Sequence, residues 1–383
     1  MRSWGMVTYV LAPDSFKESM TTLQAAEAMA EGVRQADPQA TCLLRPMADG
    51  GEGFARTLSA ALGARRVEVP VHDALGAPVQ GFVYLAGTTA LLDVATAVGL
   101  EQIPPCHRDV MGSSSLGVGE LVLAALDRGA QEVIIGLGGS ATNDAGAGML
   151  AALGVRFLDE QSAALAPVPA ELVKVAAVDT SGLDPRLADV RVQAACDVTS
   201  PLLGPQGASA VFGPQKGATD SQVLVLDSLL SRLASLATTP EGVSGTEVAQ
   251  RPGAGAAGGL GWALMTFLSA QTRPGVDLVM EASGLAEAVE GAAAVLTGEG
   301  SVDSQTLSGK TAAGVIRVAA AAGVPVAVFA GRVQADAATL LGQGVHDLVQ
   351  ITPEGTAIER ALAEGSQNLR SAVARWVAAQ EAS

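Results

Sequence analysis

Lysine is scarce in this chain, and its placement points to chemistry. Only four lysines stand among the 23 Lys and Arg residues: Lys17, Lys174, Lys216 and Lys310. Three of them lie in Gly- or Ser-containing loops: Asp14-Ser15-Phe16-Lys17, Phe212-Gly-Pro-Gln-Lys216-Gly217 and Ser308-Gly309-Lys310-Thr311. A compact ammonium on a flexible stem suits phosphate or carboxylate oxygens where a planar guanidinium is too broad. Asparagine is rarer still, with only Asn143 and Asn368. Asn143 belongs to the run Gly136-Leu137-Gly138-Gly139-Ser140-Ala141-Thr142-Asn143-Asp144, between an expected strand at Glu132–Ile135 and an expected helix at Ala145–Leu153. A strand, a small-residue loop and a helix start make an anion cradle, because backbone N–H groups and the helix dipole converge there. Gly138 and Gly139 would let the backbone approach a ligand, and Ser140 and Thr142 add hydroxyl donors.

Carboxylates recur after expected strands. Asp49 and Glu52 lie in Ala48-Asp49-Gly50-Gly51-Glu52-Gly53, Asp197 ends an expected strand at Val190–Cys196, and Glu299 and Asp303 follow one at Ala293–Thr297. Ligands of open α/β sheets bind at that strand end. A carboxylate there can share Mg²⁺ with phosphate oxygens or accept a proton from a substrate hydroxyl. Lysines, a phosphate-type loop and Mg²⁺-type carboxylates without a catalytic His or Cys suit phosphoryl transfer.

Other chemistries fit poorly. The three Cys (Cys42, Cys106, Cys196) and three His (His72, His107, His346) show no metal-ligand spacing, and the cysteines read as buried structural thiols. A formal charge of −16 leaves no basic footprint for nucleic acid. Ser304 to Thr311 resembles the end of a Walker A loop but lacks its first glycine. Gly253-Ala-Gly255-Ala-Ala-Gly258 has dinucleotide spacing but no preceding strand. The uncharged stretch from Gly253 to Ala270 is Gly-led and reads as a buried helix, not a membrane span. No signal peptide is evident, so a cytoplasmic, membrane-free enzyme is expected.

The elements that must position these residues follow an α/β rhythm. Strands are expected at Val7–Ala12 and Thr41–Pro46, with helices at Thr21–Gln35 and Gly53–Leu62. Short alternating strands at Arg66–Val71, Val79–Leu85 and Ala90–Val94 read as antiparallel or mixed. Helices at Gly119–Arg128 and Ser221–Leu236 come next. The last third alternates strands at Ala293–Thr297, Pro325–Ala330 and Asp347–Ile351 with helices at Thr311–Ala322, Ala335–Leu341 and Thr356–Ala379. The pattern predicts a doubly wound parallel sheet built from both chain ends (1–70 plus 286–383), with an α/β domain of mixed sheet inserted at 71–285.

Seven collinear segments resemble the bacterial glycerate kinase family of the glycerate 2-kinase type. They are Ala12 to Ser19, Pro46 to Gly53, Gly136 to Asp144, Cys196 to Gly204, Val211 to Gly217, Pro252 to Gly261, and Gly298 to Thr306 with Gly309-Lys310. The resemblance implies two α/β domains, one flavodoxin-like, facing a cleft. It also implies a kinase that uses ATP and Mg²⁺ to phosphorylate D-glycerate, mostly to 2-phosphoglycerate, as a monomer or homodimer. On position and charge, Ser15, Lys17, Asp49 and Glu52 are expected on one wall, with Gly138, Gly139, Ser140, Thr142, Asn143 and Lys216 on the other, holding phosphates. Asp197 is the first candidate base and Asp49 the second. Glu299 and Asp303 are candidates for Mg²⁺, and Lys310 for a phosphate or the glycerate carboxylate. Four residues depart from the family's usual pattern: Val118, Ala145, Ser200 and Ala312. A GHMP-type kinase shares a loop like Gly136 to Ser140 but not the other six segments. A sensor protein would bind glycerate without consuming ATP.

Overall fold

The computed structural model describes residues 7–48, 53–303 and 311–381. The chain divides into two compact units, Met1–Asp49 with Val276–Ser383, and Gly50–Gly275. The crossings precede the expected 70/71 and 285/286. Thirteen strands are formed among the described residues: β1 (Thr8–Leu11), β2 (Thr41–Leu44), β3 (Arg65–His72), β4 (Pro78–Ala86), β5 (Thr89–Asp93), β6 (Glu132–Gly136), β7 (Arg156–Leu158), β8 (Ala177–Asp179), β9 (Arg191–Ala195), β10 (Gln271–Arg273), β11 (Ala294–Val302), β12 (Val326–Val333) and β13 (Val345–Gln350). β3 pairs with β4 from Arg65 to His72, which carries residues before 70 into the middle unit.

In the first unit the sheet order is β13-β12-β11-β1-β2, with every pairing parallel. Counted along this unit alone the order is 2-1-3-4-5, the flavodoxin-like winding, whose switch point lies between β1 and β11. Helix Thr22–Ala36 starts at a capping box, in which Thr21 accepts from the Gln24 backbone and Gln24 answers to the Thr21 N–H. Its Ala- and Met-rich face packs on helix Gly365–Glu381. Gly32 permits that approach, since a Cβ there would stand 2.5 Å from the Arg370 carbonyl oxygen. Trp376 closes the core edge-on to Tyr9 and Phe329 at 6.4 and 6.2 Å, and its Nε1 donates to Asp347 Oδ2 at 2.8 Å.

The middle unit holds a six-stranded sheet in the order β10-β9-β6-β5-β4-β3. β3, β4 and β5 are antiparallel, and β5, β6, β9 and β10 run parallel, so the sheet is mixed as the alternating pattern implied. The core includes Leu92, Leu121, Ile135, Met149 and Trp262, whose Nε1 donates to the Gly245 carbonyl at 2.9 Å. Fully burying such aliphatic side chains contributes roughly 1.5–3 kcal/mol each.

Several elements differ from the sequence expectation. β11 runs through Gly298-Glu299-Gly300 to Val302, where a loop was expected. Pairing with β12 (Glu299 opposite Ala330, Ser301 opposite Arg332) overrides the glycine signal. The expected helix Thr356–Ala379 is two helices, Ile358–Ala363 and Gly365–Glu381. At the break the Ser19 hydroxyl donates to the Leu362 carbonyl at 2.7 Å, and a Cβ on Gly365 would stand 2.1 Å from Ser19 Oγ. The segment Ala335–Gly342 is a 3₁₀ helix, with the Thr339 hydroxyl taking the Asp336 carbonyl. Helix Ala256–Phe267 is buried as expected, but Ala257, Gly258 and Gly259 are left-handed in its first turn. No helix among the described residues is long and apolar enough to cross a membrane. Cys106 is exposed, and Cys42 and Cys196 are half-buried, so the cysteines are not the buried thiols expected.

Candidate active site

In the first unit the loop after β1 is a tight turn. The Asp14 N–H donates to the Gly298 carbonyl of β11 at 2.9 Å, and the Phe16 N–H to the Met20 carbonyl at 3.0 Å. Glu18 closes the turn in the left-handed region at φ 60°, a conformation that non-glycine residues hold only under constraint. Ser15 and Lys17 therefore stand at fixed positions beyond the C-terminal end of β1, beside the switch point. A pocket of about 1000 Å³ opens there. Ser15, Lys17 and Glu299 line it with Asp14 and Arg332, and the segment after β13 forms a further wall. Glycines let the strands meet at its floor, since a Cβ on Gly331 would stand 2.5 Å from the Gly300 carbonyl oxygen. Asp303 follows the end of β11 and is not among the lining residues.

In the middle unit the parallel strands bring three segments to one sheet edge. Asp93 ends β5, the loop Leu137 to Asn143 follows β6, and Asp197 follows β9; Asp93 and Ala195 each stand opposite Gly136. The loop is clamped: Leu100 N–H donates to the Gly139 carbonyl, Ala141 N–H to the Val98 carbonyl and Ala145 N–H to the Gly258 carbonyl. Gly139 is exposed at φ 73°, and Gly138 is half-buried, so these two glycines form the open tip.

Beneath the tip lies a polar core. Lys216 is 3 % exposed, and its Nζ donates to Ser140 Oγ at 3.0 Å and to the Thr142 carbonyl at 2.7 Å. Burial pushes this amine down to about 7, with the Asp144 carboxylate opposing the shift. Asn143 Nδ2 donates to Ser209 Oγ at 2.9 Å, while Asn143 Oδ1 and Thr142 Oγ1 are buried without a hydrogen-bond partner.

Asp144 changes the expected cradle. The helix begins at Ala147, not Ala145, because Ala145 and Gly146 are left-handed at φ 53° and 71°. Asp144 accepts from the Gly146 and Gly148 N–H groups and from both the N–H and hydroxyl of Ser115. The anion held at this helix start is thus the chain's own carboxylate, whose pKa burial raises. Lys216 likewise braces the loop from inside. Asp197 Oδ1 accepts from the Gly275 N–H at 3.3 Å and is half-buried at the sheet edge.

The structure thus gathers Ser15, Lys17 and Glu299 in one unit, and Gly138, Gly139, Ser140, Thr142, Asn143, Lys216 and Asp197 in the other. Asp49, Glu52 and Lys310 lie outside the described residues. Sequence reasoning assigned no role to Asp93, Ser115 or Ser209. Asp93 accepts from the Ala55 N–H through both carboxylate oxygens at 3.0 and 3.1 Å, anchoring the start of helix Phe54–Ala61. Its only sequence signal was its place at the end of an apolar run. Ser209 sits in helix Ala208–Phe212 with no local motif to mark it. Two of the four family departures fall on structural positions: Val118 is fully buried in the core, and Ala312 occupies the first turn of helix Thr311–Ala321.

Among the described residues no group of three or more His, Cys, Asp or Glu side chains stands together as a metal cage. Mg²⁺ in nucleotide sites needs only one or two carboxylates plus phosphate oxygens. Asp14 and Glu299, both lining the pocket, fit that donor set.

Comparison with known proteins agrees with this geometry. The model of the Glycerate kinase family matches residues 9–380. The chain is 44% identical over 372 residues to a glycerate kinase of Bacillus subtilis, covering 97% of this chain and 96% of that one. It is 40% identical over 362 residues to the glycerate 2-kinase of Escherichia coli, covering 94% of each. A crystal structure of a protein assigned as glycerate kinase 2, from Salmonella typhimurium LT2, superposes with a TM-score of 0.86 at 41% identity, covering 99% of both chains. The chain belongs to the glycerate kinase family.

Proposed function

We propose that this protein transfers the γ-phosphoryl group of ATP to a hydroxyl of D-glycerate, favouring the 2-hydroxyl and 2-phosphoglycerate. The observation that carries the reading is identity of 40–44% with proteins named glycerate kinase along nearly the whole chain. Support for the 2-position comes from the Escherichia coli relative named glycerate 2-kinase.

Phosphoryl transfer asks the protein for positioning and charge neutralisation more than for covalent chemistry. Lys17 and Ser15 supply an ammonium and a hydroxyl for phosphate oxygens at the end of β1. Mg²⁺, when bound, neutralises phosphate charge, and Glu299 with Asp14 would hold it. Asp197 takes the proton that leaves the attacking glycerate hydroxyl. Lys216 positions the Gly138–Gly139 tip instead of touching a phosphate itself. Asp49, Glu52 and Lys310 complete the set by charge and place in the sequence. The protein works in the cytoplasm, as a monomer or homodimer.

Chelation tests the reaction class. Excess EDTA is expected to abolish D-glycerate-dependent ADP release, and added Mg²⁺ to restore it. Glycerate binding that survives chelation with no ATP consumption at any Mg²⁺ level would identify a sensor instead.

A further inference from the structure

We infer that Ser19 is a positioning residue for phosphoryl transfer, acting on Lys17 through one hydrogen bond to the break between the last two helices; this rests on the phosphoryl-transfer reading. Lys17 is exposed, and no side-chain partner holds its ammonium among the described residues. Its place is therefore set by the backbone turn that carries it. That turn is a closed unit. The Phe16 N–H donates to the Met20 carbonyl, and the Ser19 and Met20 N–H groups both donate to the Phe16 carbonyl at 2.9 Å. Phe16 and Met20 are buried, while Lys17 and Glu18 form the exposed tip. Glu18 is left-handed at φ 60°, a state that costs free energy and persists only where the surroundings over-determine it.

The contact that fixes the turn comes from the far end of the chain. The Ser19 hydroxyl donates to the Leu362 carbonyl at 2.7 Å. This carbonyl lies in the last turn of helix Ile358–Ala363, where intrahelical partners run out. Gly365 opens the next helix and leaves room for the hydroxyl, since a Cβ there would stand 2.1 Å from Ser19 Oγ. Ser19, Leu362 and Gly365 line the same pocket as Lys17. The joint thus sits two residues from the ammonium and sets the angle at which the tip is presented. Without it the turn is held by Phe16 and Met20 alone, which fix its base and not its tip.

A double-mutant cycle in the full chain separates positioning from plain structural support. Ser19→Ala is expected to lower kcat/KM for ATP by about tenfold to a hundredfold, as for site groups displaced by up to about 1 Å. In a Lys17→Met background the same substitution is expected to cost less than about twofold, because the group it positions is already gone. Equal fold losses in both backgrounds would mark Ser19 as merely structural and overturn the inference. Hydrogen exchange on the peptide covering residues 15–20, read by mass spectrometry, needs no turnover. Ser19→Ala is expected to speed exchange there by about tenfold and leave the rest of the first unit unchanged. Wild-type exchange in the variant also overturns the inference. Wild-type protein that releases no ADP on adding D-glycerate would overturn the kinase reading, and the exchange comparison would still decide whether Ser19 holds the turn.

Discussion

Lys216 is a buried amine whose charge costs free energy to carry inside the protein. Below pH 7 the folded and unfolded chains both hold its proton, and that cost is present in full. As pH rises through about 7 the folded chain releases the proton, while the unfolded lysine keeps it up to its ordinary value of 10.5. Unfolding then takes up a proton, so stability rises with pH across this window and levels off above it. Urea unfolding of wild type and Lys216→Met is expected to show the wild type gaining on the variant between pH 7 and 9, by at most about 1.4 kcal/mol per pH unit. A difference independent of pH would show that the amine is charged throughout. Asp197→Asn keeps the Gly275 hydrogen bond and the fold, and is expected to lower kcat by about 10²–10⁴ with little change in the KM for ATP. Full turnover would remove Asp197 as the base. At this scale rarity of residue type drew attention to Lys216 and Asn143, but Lys216, expected to hold a phosphate, donates to Ser140 and Thr142 inside the loop. The sequence was opaque where a common residue acts through a long-range contact: Asp144 was seen as part of a cradle, yet its partner Ser115 lies 29 residues away.

At the scale of elements, the loop after β6 depends on a second loop that is distant in sequence. Gly258 stands at φ 66°, and a Cβ there would lie 2.0 Å from the Thr142 carbonyl oxygen. Gly258→Ala therefore adds left-handed strain and a backbone clash, together about 3 kcal/mol. It also displaces Thr142, the acceptor for Lys216. The variant is expected to melt several degrees lower and to lose about a hundredfold in kcat, the effect of misplacing site groups by about 1 Å. A variant with wild-type melting and turnover would show that this loop contact is dispensable. The longer elements were legible from periodicity; the capping boxes Thr21-Gln24 and Thr219-Gln222 stand at two of their helix starts. Two of the misses have a common cause. β11 passes through Gly298 and Gly300 because β12 pairs with it, and the last helix breaks because Ser19 reaches Leu362. Neither partner is local, so neither leaves a mark in a window of the sequence.

At the scale of the whole molecule, the sheet made from both chain ends was legible because its strands and helices alternate at each end, and parallel strands need crossover helices. The crossing points were not, because the β3–β4 pairing that draws residues 65–70 into the middle unit is set by tertiary register. The pocket was legible only in part. Ser15, Lys17 and Glu299 carried a signal, whereas the segment after β13, which supplies Ile351 to Thr356, carried none. A coupled ADP-release assay with Mg-ATP, its product assigned by ³¹P NMR, tests phosphoryl transfer to D-glycerate. D-glycerate-dependent ADP release with 2-phosphoglycerate as the product is expected. Folded protein that releases no ADP on adding D-glycerate would contradict it, and a 3-phosphate product would keep the kinase while overturning the choice of hydroxyl.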